Sequence, residues 1–142
     1  MKPSMKRGDG SLVKGIGTDM VQIKRIERLM ERLSPSALTR MFTPAELAAS
    51  ERASKPADYL AARFAAKEAV FKAVAHLTPE KTFDLRIIET LNHEDGSPYV
   101  NTTPALREIL DKAAVTDLMV SITTEGEYAA AFVIAVGLQS PV

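Results

Sequence analysis

The 142-residue chain contains no cysteine, which excludes disulfides, thiolate zinc sites and cysteine nucleophiles. It has no net charge, eighteen basic residues balancing eighteen acidic ones, so no chain-wide attraction draws it to nucleic acid or an anionic membrane. No apolar run approaches the roughly 20 residues of a membrane span. The polar opening from Met1 to Ser11 has no signal-peptide core, which makes the cytoplasm the expected compartment. His76 and His93 are far apart in the sequence and lack zinc-ligand spacing. Ser121 has no evident histidine base, so a hydrolase triad has no support. Gly15 and Gly17 match neither a phosphate loop nor a dinucleotide fingerprint, and there is no internal repeat.

What remains is the composition of a soluble globular protein, 46% hydrophobic and 25% charged, at a length that suits one domain. Residues 1–12 lack periodicity and read as a mobile arm or cloning remnant, leaving 13–142 as the single domain. Val13–Ile23 is β-branched and interrupted by Gly15 and Gly17, which predicts a strand with a bend or a close backbone approach. Apolar spacing predicts a helix over Lys24–Leu33, stopped by Ser34 and Pro35. A short amphipathic piece, Ala37–Phe42, follows. Thr43, Pro44 and Glu46 form the signature of a capping box opening a helix to about Ala53. Pro56–His76, rich in Ala and free of internal Gly or Pro, reads as the longest helix. Strands are expected around Asp84–Leu91 and Pro98–Thr102, a helix over Pro104–Ala114, and a closing hairpin of Leu118–Thr123 with Tyr128–Val136. The expected architecture is α+β, helices packed on a small, mainly antiparallel sheet.

Three groups of charges stand out. On a wheel of the long helix Arg63 and Lys67 fall among bulky apolar side chains, with Glu68 and Lys72 one turn apart at the flank. Unpaired burial of such groups costs several kcal/mol each, so they need partners or a wet cleft. Three cations and a carboxylate suit a phosphate-bearing ligand with a metal ion; the plainer alternative is a surface Glu68–Lys72 pair with Arg63 and Lys67 snorkelling. Asp19 shares a strand face with the apolar Val21 and Ile23, and with Glu68 it would supply the two hard oxygen ligands that Mg²⁺ typically takes from a protein. Thr18 and the backbone of Gly15 and Gly17 would border that site. Arg25, Arg28 and Arg32 stack on one helical face, either a solvated face or a docking surface for an acidic partner.

The segments GIGTDMVQIKRI (15–26), FTPAEL (42–47), YLAARFAAKEAVFKAV (59–74), the Gly96-Ser97-Pro98 turn and VSITTEGEYAAAFVIA (120–135) together resemble the holo-acyl-carrier-protein synthases, the short, single-domain branch of the 4′-phosphopantetheinyl transferases. The resemblance implies an α+β homotrimer with active sites between subunits, acting on coenzyme A and an acyl carrier protein with Mg²⁺. It implies transfer of 4′-phosphopantetheine to a carrier serine, with release of adenosine 3′,5′-bisphosphate. By the same resemblance Asp19 and Glu68 bind the metal, Glu68 is the candidate general base, and Lys72 holds the coenzyme A phosphates. Arg63 and Lys67 lie near the nucleotide, Gly96, Pro98, Ser121 and Thr123 contribute to its site, and Arg25, with Arg28 and Arg32 beside it, meets the carrier. Two positions depart from the pattern: Thr124 stands where many members carry histidine, and Ser97 replaces the basic residue of the turn, removing one candidate phosphate contact. Another Mg²⁺-dependent enzyme acting on nucleotides and a non-catalytic coenzyme A-binding scaffold are the alternatives.

Overall fold

The computed structural model describes residues 10–139. Its central contact is made by the two glycines of the first strand, β1 (Ser11–Gln22), where it crosses the long helix α4 (Pro56–Val74). A Cβ on Gly15 would stand 1.8 Å from the Ala73 carbonyl oxygen, and one on Gly17 would stand 1.9 Å from that of Ala69. Glycine on the strand and alanine on the helix let the two backbones meet at a distance that any larger pair forbids. The expected close approach is therefore present, and so is the bend, a register shift between Val13 and Gly15. These glycines are packing residues of the strand–helix contact. β1 already begins at Ser11, opposite Leu138, so residues 11 and 12 belong to the strand. Of the rest of the expected arm, Gly10 is described and 1–9 lie outside the described residues.

β1 pairs with β5 (Tyr128–Leu138), which pairs in turn with β4 (Val115–Glu125); the order is β1-β5-β4 and every pairing is antiparallel. Gly126, at φ +60°, supplies the positive φ needed at the tight β4–β5 turn. The expectation of one sheet is corrected, because β2 (Ile88–Asn92) and β3 (Pro98–Thr102) form a separate two-stranded sheet. The reason lies in what the free edge of β2 bonds to. The carbonyls of Ile88 and Thr90 accept from the Lys67 and Arg63 side chains, and the Thr90 N–H donates to Glu46 Oε2 at 3.0 Å. Side chains complete that edge where a third strand would otherwise pair.

The remaining helices are α1 (Ile23–Arg32), the single turn α2 (Pro35–Leu38), α3 (Pro44–Arg52) and α5 (Pro104–Lys112). The capping box at α3 forms as read, with the Thr43 hydroxyl on the Glu46 N–H and the Glu46 carboxylate on the Thr43 N–H. The long helix stops at Val74 and tightens into a 3₁₀ turn over Ala75–Leu77. Asp84 caps a second such turn, Leu85–Ile87, delaying the strand expected from Asp84 to Ile88. The core lies where α4 meets the inner face of the larger sheet, with Val70, Val74, Val21, Ala131 and Val133 buried together. The outer face of that sheet is left bare: Ile16 is 70%, Met20 65% and Phe132 53% exposed.

Candidate active site

β1 and α4 bring together three of the charges singled out above. Strand alternation puts Asp19 on the helix-facing side with Gly17 and Val21, and α4 meets it with Lys72. The Lys72 ammonium donates to Asp19 Oδ1 at 3.1 Å and to the Thr18 carbonyl at 3.1 Å. Glu68 lies one turn earlier on the same side of α4 and is partly exposed. The surface Glu68–Lys72 pair is not formed, because Lys72 turns to Asp19 instead.

A cleft of about 370 Å³ opens between the start of α4 and the two sheets. Arg63, Gly96 and Pro98 line it, together with Lys55, Tyr59, Asn92 and Thr124. Arg63 is only 4% exposed. Its guanidinium stacks on the Tyr59 ring at 4.3 Å and donates to the Thr90 carbonyl and to Asn92 Oδ1 at 3.1 and 3.2 Å, while its Nε is buried without a partner. Burial lowers its pKa from the ordinary arginine value, opposed by the charges of Tyr59 and Glu46. No carboxylate pairs with it among the described residues, so one wall of the cleft carries a buried positive charge with unused donor capacity, an arrangement that favours an anion.

Lys67 is elsewhere. It is fully enclosed, 2.7 Å from the Glu46 carboxylate, and also donates to the carbonyls of Leu85 and Ile88. Burial lowers its pKa, with Glu46 the largest opposing influence. The expectation that it sits near a nucleotide is corrected: its three donors are spent in the core. Ser121 and Thr123 also lie outside the cleft. Strand alternation sends Ile122 and Thr124 inward and these two to the bare outer face, where Ser121 stands opposite Phe132 and Thr123 opposite Ala130. Arg25, Arg28 and Arg32 are exposed along α1, with Arg25 over the Phe64 ring at 5.6 Å. The histidines are occupied locally, His76 Nε2 with the Lys14 carbonyl at 2.9 Å and His93 stacked on Tyr99.

The sequence pattern of the 4′-phosphopantetheinyl transferase superfamily matches residues 15–133, from the glycine cradle to the last core strand. The chain belongs to this superfamily. It is similar to the holo-[acyl-carrier-protein] synthase of Desulforudis audaxviator, 38% identical over 126 residues that cover 89% of this chain and 95% of that protein. A similar relative in Thermodesulfovibrio yellowstonii is 37% identical over 87% of this chain and 98% of its own. Among solved structures, the holo-[acyl-carrier-protein] synthase of Neisseria meningitidis superimposes with a TM-score of 0.78 at 36% identity, covering 87% and 98% of the two chains. The Helicobacter pylori synthase, solved in complex with coenzyme A, gives 0.71 at 27% identity over 84% and 98%.

For a phosphopantetheinyl transferase the donor set at Asp19 and Glu68 matters. Both are carboxylates, hard oxygen donors, and Asp19 already holds a cation in the form of the Lys72 ammonium. No cluster of three or more carboxylate, histidine or cysteine ligands exists among the described residues. Two carboxylates fit Mg²⁺, which keeps water and phosphate oxygens in its remaining positions, better than zinc or calcium. Sequence reasoning missed Asn92, Tyr59 and Lys55 as cleft residues. No local pattern marks Tyr59 as a platform for Arg63, and Lys55 and Asn92 stand at the ends of their elements, as the N-cap of α4 and the last residue of β2. It also read Glu46 as a cap alone. Its second role depends on Lys67, twenty-one positions away, and no local pattern carries that.

Proposed function

We propose that the chain is a holo-acyl-carrier-protein synthase that moves 4′-phosphopantetheine from coenzyme A to a serine of an acyl carrier protein and releases adenosine 3′,5′-bisphosphate. The observation that carries this reading is the meeting of Asp19 and Lys72 one helical turn from Glu68, on the helix whose earlier turns place the buried Arg63 in the cleft. The carrier serine Oγ attacks the β-phosphorus of coenzyme A, and the bond from that phosphorus to the bridging oxygen breaks. The leaving bisphosphate keeps the electron pair. Glu68, directly or through water, takes the serine proton. Asp19 and Glu68 would hold Mg²⁺, which when bound neutralises charge on the pyrophosphate oxygens. Lys72 adds a second positive charge at the leaving phosphate, where it counts most in the transition state. Arg63, Gly96 and Pro98 receive the nucleotide end, without the basic residue that Ser97 replaces.

The bare outer face of the larger sheet supports a homotrimer in which that face is covered by neighbouring copies. Rows such as Thr18–Phe132–Ser121 run across it, so Ser121 and Thr123 reach a neighbour's ligand in place of their own cleft. The arginines of α1 dock the acidic carrier. Mass spectrometry of an acyl carrier protein incubated with coenzyme A and Mg²⁺ tests the reading: one serine gains one phosphopantetheine group. Consumption of nucleotide without that gain marks a hydrolase, and neither event marks a scaffold. Asp19→Ala or Glu68→Ala abolishes most of the transfer while the thermal unfolding of the chain stays close to that of the parent.

A further inference from the structure

The Lys72 ammonium pairs with Asp19, and we infer that it is the counter-ion a divalent cation must displace, which ties cation binding to binding of the anionic substrate. The inference rests on the reading that Asp19 and Glu68 bind the metal. Its physical basis is the crowding at one carboxylate. Asp19 keeps only 17% of its side chain exposed, and the ammonium covers part of what is left at 3.1 Å. A divalent cation at Oδ1 would stand at contact distance from a like charge in a partly enclosed site, where repulsion is strong. The ammonium and a divalent cation therefore compete for Oδ1, the oxygen that Lys72 already holds.

Lys72 is free to be the one that leaves. Its side chain is 52% exposed and its bonds among the described residues go to Asp19 and the Thr18 carbonyl. Glu68, one turn back, does not hold it. Once displaced, the ammonium is an uncompensated charge on a four-carbon tether beside the metal, and a phosphate arriving there restores its pairing. Metal and phosphate therefore favour each other's binding through Lys72, by the same factor in either direction.

The test titrates Mn²⁺ alone into the full chain and follows the free ion by electron paramagnetic resonance. The parent, Lys72→Met, Lys72→Gln and Asp19→Asn are compared after circular dichroism has confirmed that each is folded. Both Lys72 variants bind Mn²⁺ about fivefold or more tightly than the parent. The gap persists in about 1 M salt, where a Debye length of about 3 Å removes long-range charge effects but not contact competition. Calorimetry then gives the factor by which Mn²⁺ strengthens coenzyme A binding; that factor is smaller in the Lys72 variants, and complex formation between the ion and coenzyme A in solution is common to all proteins and cancels. Equal or weaker Mn²⁺ binding in the Lys72 variants, with binding lost in Asp19→Asn, overturns the exchange while leaving the metal assignment standing. Parent-like binding in Asp19→Asn, or no binding by any form, overturns the metal assignment and the exchange with it.

Discussion

Lys67 and Glu46 meet at 2.7 Å with no solvent exposure on either side chain. Glu46 also accepts from the N–H groups of Thr43 and Thr90, and Lys67 also donates to the carbonyls of Leu85 and Ile88. One pair thus joins α3, α4 and the start of β2, with every charge and donor matched.

Breaking that pair from one side leaves a buried charge without its counter-ion. Glu46→Gln is expected to cost about 3–5 kcal/mol of unfolding free energy in a denaturant titration, and Lys67→Met, which strands the Glu46 carboxylate instead, a similar amount. The deficit should depend on pH. In the folded variant the Lys67 pKa, already lowered by burial, loses its main support and falls further. Between that value and the ordinary lysine value of about 10.4 the unfolded chain binds more protons, so stability rises with pH across this window. The deficit of Glu46→Gln relative to the parent therefore narrows from neutral toward alkaline pH. A deficit that stays constant would mean that Lys67 is not the source of the cost.

Gly17→Ala tests the glycine cradle. The new methyl group would meet the Ala69 carbonyl oxygen at 1.9 Å and the Ala73 nitrogen at 2.7 Å. Both are main-chain atoms of a helix enclosed on several sides, and neither can yield as a flexible side chain would. The expected loss is about 3 kcal/mol or more, a fall in Tm on the order of 10 °C for a chain of this size. A calorimetric Tm within about 2 °C of the parent would disprove the contact.

The bare sheet face gives a third expectation. Phe132→Glu places a carboxylate at the middle of the Thr18–Phe132–Ser121 row, where a covering copy would bury it at a cost of several kcal/mol. Light scattering should report a monomer for the variant and a trimer for the parent. Activity should fall with the assembly, because Ser121 and Thr123 are then presented to no neighbour. A parent chain that is monomeric and fully active would sink the shared-site reading.

Arg28→Glu probes the carrier. Arg28 is exposed on α1, whereas Arg25 is engaged with Phe64 and makes a less clean probe. Complementary charge speeds encounter and fixes orientation, so the apparent KM for the carrier should rise strongly while that for coenzyme A stays nearly unchanged. Higher ionic strength should shrink the difference, since exposed charges are screened beyond about 8 Å at physiological salt. An unaltered carrier KM at low salt would make the arginine face a solvated surface only.

Much of this was legible in the order of the residues. The Gly15–Gly17 interruption announced a close approach, and Thr43, Pro44 and Glu46 announced a capped helix, because both signals are local and their physics is steric or hydrogen-bonded within a few positions. Asp19 could be singled out as a charge on an apolar strand face, and Lys72 as one at the flank of the long helix's apolar arc. Their mutual contact, across more than fifty positions, could not be read. Arg63 and Lys67 look equivalent on a helical wheel, one turn apart. Only the three-dimensional arrangement separates them, by giving Lys67 the buried Glu46 and leaving Arg63 to Tyr59, Asn92 and the cleft. Ser121 and Thr123 fell on the other side of the sheet for a similar reason: the alternation of β4 was readable, but which of its faces met the helices depended on the register with β5.

The separate β2–β3 hairpin has a dynamic consequence. Two strands alone are marginal in water, and this pair holds its place through bonds from Arg63, Lys67 and Glu46 to its main chain. It is expected to open as a local unit, stitched to α4 at two points and to α3 at one, and free of the main sheet's ladder. Amide hydrogen exchange should divide accordingly. The Thr90 amide, donated to a buried carboxylate, is protected close to the level of β5, while amides of the Asn92–Pro98 turn exchange early. Gly96 and Pro98 thus ride on a wall of the cleft that can breathe without loosening the strand and helix that carry Asp19, Glu68 and Lys72.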